Sequence, residues 1–386
     1  MTATAEQVIF WMCISVLGYV YVGYPLLVHL ISLLFPSTIE RAEIEPNVTV
    51  LITAFNEEDS ISEKLENTLR IDYPNDKLEI LVASDGSTDR TDLIVEEFAS
   101  RGVKLFRQEG RVGKTTTQNN AVEQAAGEII LFSDATTMYR EDVFRQLLPA
   151  FADKSVGCVA GRLNYVDDLS TTVGRGAKSY WGYETFIKIA ESRACSLIGA
   201  SGCLYAVRRS AYEPMYAEAC SDFLICTNLY RKGLRSVFAP DAVCFEHTNR
   251  RAADELRMRV RVISQTFTDL WRSRDMLNPL KSGFFAIELI SHKVLRYAVP
   301  LILFVFFAAS IVFASASAFY AAAMLLQLLF YSMAFIGWLL ERAGKRPHLL
   351  AMPLYFVLAN LASVMAFYKF LRGETFARWE PIRQAR

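Results

Sequence analysis

Charge is what this 386-residue chain withholds, and it withholds it in blocks. No Asp, Glu, Lys or Arg occurs in 7–39, 297–340 or 349–368, although the whole carries 41 basic and 41 acidic residues. Each block excludes a water-facing surface of that length, because an α-helix rising about 1.5 Å per residue crosses a hydrocarbon core of about 30 Å in roughly 20 residues. By that measure 7–39 is one crossing, 297–340 is two joined near Ser315–Ser317, and 349–368 is one more: four spans. Balanced charge excludes a generally basic nucleic-acid binder, and 52% hydrophobic residues exclude a disordered chain. The first block has no basic leader and no small-residue cleavage site before Glu40, which favours a retained anchor over a secretion signal.

The chain also lacks any CxxC pair. Its seven cysteines (13, 158, 195, 203, 220, 226 and 244) match neither a zinc site nor a disulfide ladder, and read as reduced, mostly buried thiols. That places 41–296 in the cytoplasm, where its many Lys and Arg obey the positive-inside rule. Four crossings then leave Arg342, Lys345 and Arg346 inside but Arg372, Arg378, Arg383 and Arg386 outside, against that rule. If part of 297–340 lies along the membrane surface, the tail returns inside.

What is present between the blocks is an alternation of β-type and helical runs. Strands are expected at 48–54, 78–83, 103–106 and 128–133, with helices over about 57–70, 89–100 and 114–126. This βαβαβαβ order predicts an α/β unit with a mostly parallel sheet and its ligands at the carboxyl ends of the strands. Those ends carry Thr53-Ala-Phe-Asn-Glu-Glu58, Ser84-Asp-Gly-Ser-Thr-Asp89 and Ser133-Asp-Ala-Thr-Thr137. A carboxylate such as Asp85 accepts from a base N–H or ribose hydroxyls, although Asp-Gly and Asn also serve plain turns and helix caps. Arg111-Val-Gly-Lys-Thr115 hints at a phosphate loop, but the GxxxxGK spacing needs glycine where Gln108 stands. Lys114 at a helix start still offers charge to a diphosphate. Asp134 at a strand end is a candidate ligand for Mg2+ or Mn2+; Thr136 stands where a second carboxylate would complete Asp-x-Asp, so His247 is a weak further candidate.

Downstream, Gly199-Ala-Ser-Gly-Cys203 is a glycine loop suited to close approach of a ligand, and Cys220-Ser-Asp-Phe-Leu224 opens a helix. Asp222 there reads either as a helix-start acid or as a general base. Leu256-Arg-Met-Arg-Val-Arg-Val262 crowds three arginines on one helix, as lipid anchors or phosphate clamps. Tyr180, Trp181 and Tyr183 offer rings for sugar stacking or for an ordinary packed face.

In this order the motifs resemble the inverting family 2 glycosyltransferases of the GT-A fold, the membrane-bound group that includes polysaccharide, hyaluronan, chitin and cellulose synthases. The resemblance covers about 47–270 and implies three regions: an N-terminal transmembrane helix and linker (1–45), a cytoplasmic GT-A domain (46–275), and an interfacial helix with about three transmembrane helices and a short tail (276–386). It implies that Thr53, Asn56 and Glu57 line the nucleotide pocket, Asp85 holds the base, and Lys114 and Asn119 border the donor. Asp134 would hold the metal, Ser201 and Gly202 would lie near both sugars, Asp222 would be the catalytic base, and Arg261 would help stabilise the leaving diphosphate. The Gln-x-x-Arg-Trp motif of processive synthases survives only at Arg261, which weakens a processive reading.

The expectation is a UDP-sugar-dependent transferase at the cytoplasmic face of the inner membrane, acting on a polysaccharide or lipid-linked acceptor, with an export partner or a second copy open. A catalytically silent subunit of a polysaccharide synthesis or export complex is the alternative. A nucleotide-sugar pyrophosphorylase would share the sheet but needs no spans, and would show a glycine-rich basic signature where Thr53–Glu58 stands. Gln327, Tyr331, Trp338, Tyr355 and Asn360 are the candidates for lining a channel.

Overall fold

The computed structural model describes residues 5–166, 172–248, 251–345 and 347–379. Helix α1 (Ala5–Gly18) continues through a π-helical turn into α2 (Tyr24–Leu34). The first half of the following unit alternates as its sequence predicts: β1 (Val48–Ala54), α3 (Ile61–Leu69), β2 (Leu78–Ser84), α4 (Thr91–Glu97), β3 (Val103–Arg107), α5 (Lys114–Gln124), β4 (Ile129–Asp134). Every residue of β1 is buried, which is what a β-branched strand covered by helices on both faces requires. Then come β5 (Met138–Tyr139), α6 (Val143–Leu147), β6 (Val156–Tyr165), α7 (Thr172–Ala194), β7 (Tyr205–Arg208), α8 (Ser221–Arg231) and β8 (Arg235–Glu246).

The eight strands form one sheet in the order β3-β2-β1-β4-β7-β6-β8-β5. The strands β3, β2, β1 and β4 are parallel, so Ala54, Ser84 and Asp134 end at one rim. Beyond β4 the sheet is mixed: β7 is antiparallel to β4 and β6, β8 is parallel to β6, and β5 is antiparallel to β8. A parallel partner requires a crossover, whereas β7 returns from the end to which α7 carried the chain.

Helix α9 (Ala252–Arg272) leads to α10 (Pro279–Ser282), α11 (Phe284–Leu289), α12 (Leu295–Phe313), α13 (Ala318–Arg342) and α14 (Ala351–Leu371). Four helices are long and apolar enough to cross a membrane: Gln7–Leu34, Phe284–Phe313, Ala318–Arg342 and Ala351–Leu371. The second starts earlier than the uncharged block and takes in Glu288, His292, Lys293 and Arg296. Charge is tolerated there because α7 supplies partners: His292 lies 2.6 Å from Glu191 Oε1 and 3.1 Å from Glu184 Oε2, Arg296 donates to Glu184, and the Tyr24 hydroxyl donates to Glu191 at 2.6 Å. Removing one member of such a buried pair costs about 3–5 kcal/mol, so this cluster ties the spans to the sheet unit.

The last apolar helix does not leave that unit. The Glu341 carboxylate, at the end of α13, accepts from Ala252 N at 2.8 Å; Tyr355 OH donates to Glu255 at 3.0 Å; Gln265 Nε2 donates to Phe376 O at 2.7 Å. Both ends of α14 are therefore held by α9. Four candidate spans are thus found, as composition predicts, and the last of them, α14, lies along α9 with residues 374–379 beside the sheet unit. Arg372 and Arg378 accordingly stand on the side of the sheet unit that the α9 contacts define. Arg346, Arg383 and Arg386 lie outside the described residues.

All seven cysteines are free, and six are buried. Of the five expected channel-lining residues, Gln327 donates to Ser310 Oγ at 2.9 Å, Asn360 donates to Phe356 O at 2.8 Å and Tyr355 donates to Glu255, while Gln327 and Tyr331 line a groove among the apolar helices.

Candidate active site

The rim is assembled from three loops that hydrogen-bond to one another. Asn56, the one non-glycine residue with positive φ (54°) among the described residues, turns its carboxamide so that Oδ1 accepts from Thr88 N at 2.7 Å. Its own N–H donates to Ser87 Oγ at 3.1 Å, and Glu57 N donates to Thr91 Oγ1 at 2.7 Å. Thr53 is buried and accepts from Gln118 at 3.3 Å. These residues join the loops after β1 and β2 into one surface.

Asp85 follows directly on β2 at the same rim. It is fully buried, and its carboxylate accepts from Val112 N at 2.8 Å, Gly113 N at 3.0 Å and Thr117 Oγ1 at 2.9 Å. It anchors the loop that precedes α5. The Asn119 carboxamide donates to Met215 O at 2.6 Å and accepts from Tyr212 OH at 2.8 Å, tying α5 to the 212–215 segment.

Lys114, the first residue of α5, donates to Asp134 Oδ1 at the end of β4. Gly202 faces both: a methyl group on it would lie 3.4 Å from Asp222 Oδ2 and 3.8 Å from Asp134 Oδ2 and from Lys114 Nζ. Residues distant in sequence thus converge on the space left beside Gly202, two carboxylates and an ammonium within 3.4–3.8 Å of where its Cβ would stand. Burial pulls the Lys114 pKa down, but Asp134 and Asp222 outweigh it and hold the ammonium above its usual range. Asp222 stands in the first turn of α8 and accepts from the Cys220 thiol at 3.1 Å. Buried Asp269 of α9 fixes that turn by accepting from Cys220 N at 3.1 Å. Ser201 Oγ accepts from Lys188 at 2.7 Å, and the field of Arg261 on α9 reaches both Lys114 and Cys220.

Among the described residues no group of three His, Cys, Asp or Glu side chains could hold a metal by itself. What the rim does offer is a hard oxygen set. Asp134 Oδ2 faces the gap, and the Glu246 carboxylate accepts from Thr136 Oγ1 at 3.2 Å, with exposed His247 next in sequence. This suits Mg2+ or Mn2+, which bind through one or two carboxylates and take the remainder from phosphates and water. Glu246 escaped the sequence reading because nothing local marks a strand-end glutamate 110 residues from Thr136. Burial first, and then the neighbouring Asp134 charge, push its carboxyl up to about 7.

The second unanticipated element is the C-terminal segment. Arg111 donates to Trp379 O and stacks over the Phe55 ring at 3.9 Å, while the Trp379 and Phe55 rings meet edge to face at 6.0 Å. Gly113 fits beneath: a Cβ there would come within 2.1 Å of Ala377 O. The rings expected to stack on sugar are committed elsewhere. Tyr180 lies under Arg259 at 4.7 Å, Trp181 packs on Tyr165, and Tyr183 OH donates to Tyr21 O at 3.0 Å.

Residues 49–215 match the glycosyl transferase family 2 profile. Similar curated proteins include a probable glycosyltransferase of Bacillus subtilis, 28% identical over 226 residues, and an N-acetylglucosaminyltransferase of Rhizobium meliloti, 27% identical over 266 residues. The matches cover 55% and 64% of this chain, and only 53% and 62% of those proteins' own length. Among solved structures, a mannosyltransferase from Pyrobaculum calidifontis in complex with GDP-mannose and Mn2+ shares the fold with a TM-score of 0.71 at 24% identity, covering 95% of this chain and 99% of that one. With its sheet, its rim and these likenesses in place, residues 49–215 are a glycosyl transferase family 2 domain, and the chain is built on the GT-A fold.

Proposed function

We propose that the protein is an inverting glycosyltransferase that moves a sugar from a nucleotide-diphospho-sugar, a UDP-sugar in the first instance, to a polysaccharide or lipid-linked acceptor at the membrane face. The convergence of Asp134, Lys114 and Asp222 on Gly202 carries this reading. Inversion needs one face of the sugar for the leaving diphosphate and the other for the acceptor oxygen. Lys114 and Arg261 supply positive charge on the diphosphate side. Asp222 stands across the gap, where a carboxylate takes the acceptor hydroxyl proton. A divalent ion at Asp134, with Glu246 nearby, would neutralise charge developing on the diphosphate. The loop held by Asp85 and the Asn56–Thr88 junction shape the nucleotide pocket.

Reduced cysteines and a basic segment that shares its side with the sheet support a cytoplasmic catalytic unit on an inner membrane. The test is nucleotide release with Mg2+ or Mn2+, across UDP-sugars and GDP-mannose, by the detergent-solubilised protein and, separately, by native membranes that supply acceptors. One donor should be turned over and the rest spared. Silence with every donor would sink the reading in favour of a non-catalytic subunit.

A further inference from the structure

A single loop carries Gly202 to the gap, and what holds that loop is buried. Ala200 N donates to Asp222 O at 2.9 Å, which ties the loop to the first turn of α8. From α7, Lys188, 7% exposed, donates to Ala200 O at 3.2 Å and to Ser201 Oγ at 2.7 Å. The Ala200–Ser201 step is therefore gripped by α7 and α8 together, and Gly202 is the next residue along. The same ammonium lies over the Trp181 ring at 5.4 Å.

Burying an ammonium is costly, and a neutral donor would also satisfy Ala200 O and Ser201 Oγ. What a lysine adds is charge. No carboxylate comes within ion-pair distance of Lys188 among the described residues. Burial pulls its pKa down, and the fields that oppose burial come from Glu184, one turn back on α7, and then from Asp222. Glu184 is engaged by Arg296 and His292, whereas the Asp222 carboxylate accepts, among the described residues, only from the Cys220 thiol. Two buried ammoniums on different helices, Lys114 and Lys188, thus send their fields to the one carboxylate that takes the acceptor proton. Also facing Asp222 are Tyr205 on β7, Cys220 and Cys226 of α8 and its cap, and Asp269 on α9, with Arg261 reaching Cys220.

We propose, resting on the transferase reading above, that Lys188 is a positioning residue for the transfer: through Ser201 it seats the 200–202 turn against Asp222, and its charge keeps that carboxylate ready for the acceptor proton. In the transfer the acceptor oxygen bonds to the anomeric carbon as the bond from that carbon to the diphosphate oxygen breaks. The electron pair leaves with the nucleoside diphosphate, and the hydroxyl proton passes to Asp222. Lys188 touches none of the reacting atoms and keeps its own proton throughout.

Lys188→Met keeps the length of the side chain and removes the charge, whereas Ser201→Ala keeps the charge and removes the link. Transfer is read as single-turnover nucleotide release by native membranes carrying each variant, with Mg2+ or Mn2+, across a range of pH. In Lys188→Met it should fall about 10²-fold, with the acid limb moved up by about one pH unit because a positive charge that favoured the ionised carboxylate is gone. In Ser201→Ala it should fall about tenfold with the limb where the parent has it, since one charge-assisted contact is lost and the charge remains. On the solubilised protein, Lys188→Met should bind nucleotide like the parent. Hydrogen exchange at 199–203 should quicken in both variants while the sheet stays protected, a readout that needs no donor. Parent-like transfer in Lys188→Met, an acid limb that does not move, or parent-like exchange at 199–203 in either variant would overturn the proposal. Should Lys188→Met not fold, parent-like transfer and exchange in Ser201→Ala overturn it instead. A parent that transfers nothing counts against the transferase reading, while exchange at 199–203 still decides whether Lys188 holds the loop.

Discussion

At the scale of single residues, Gly202 shows how the site depends on what is missing. A methyl there would make ordinary contacts of 3.4–3.8 Å with Asp222, Asp134 and Lys114, so the fold accommodates it while the gap for the sugar closes. Gly202→Ala is therefore expected to leave the melting midpoint unchanged and to lower nucleotide release by about 10²-fold, the cost of a misplaced reactant; unchanged turnover would contradict the assignment. Asp269 gives a pH test. Burial first, and then the Asp222 charge, raise its carboxyl to about 7 from an ordinary 3.8. The folded state thus binds a proton that the unfolded chain has released, and the stabilisation, present in full below pH ~4, is lost as pH rises to ~7, roughly 4 kcal/mol in all. Asp269→Asn should flatten thermal stability across that window, whereas parallel profiles for the two proteins would rule the effect out. Asp134, Asp222 and Lys114 were legible in the sequence because a strand end or a helix start fixes where such a residue emerges. Asp85 and Asn119 were legible only as polar groups near the rim: their partners, Val112 and Thr117 for one and Met215 for the other, are set by tertiary contacts that no local spacing encodes.

Elements were easier to read than their destinations. The alternation through β4 follows from periodicity, and the uncharged blocks identify the apolar helices, yet composition cannot distinguish a helix that crosses from one that lies down. What composition could not show for α14 is that Tyr355 reaches Glu255 on α9 and that Phe376 beyond its end is bonded to Gln265. The consequence is a tail laid against the nucleotide rim. Gly113 permits it twice over, with a φ of +100° and no Cβ to meet Ala377 O. Gly113→Ala should expel residues 374–379, seen as faster hydrogen exchange there with the sheet still protected; unchanged protection of the segment would show that the contact does not hold it.

At the scale of the whole molecule, the buried cluster of Glu184, Glu191, His292 and Arg296 fastens α7 of the catalytic unit to the second candidate span, and α14 packs along α9. Single cysteines at Ser317 and at Thr375 in a Cys-reduced background should label from opposite faces of sealed vesicles; labelling from one face would return α14 to a crossing. The central claim is a division of labour across the gap at Gly202, with the donor held on the Asp134 side and the acceptor proton taken by Asp222. The most direct measurement sets nucleotide affinity beside single-turnover transfer for Asp134→Asn and Asp222→Asn. The account expects Asp222→Asn to bind nucleotide like the parent while transfer falls about 10²–10⁴-fold, and Asp134→Asn to lose the dependence of nucleotide binding on Mg2+ or Mn2+. Transfer undiminished in Asp222→Asn would contradict it.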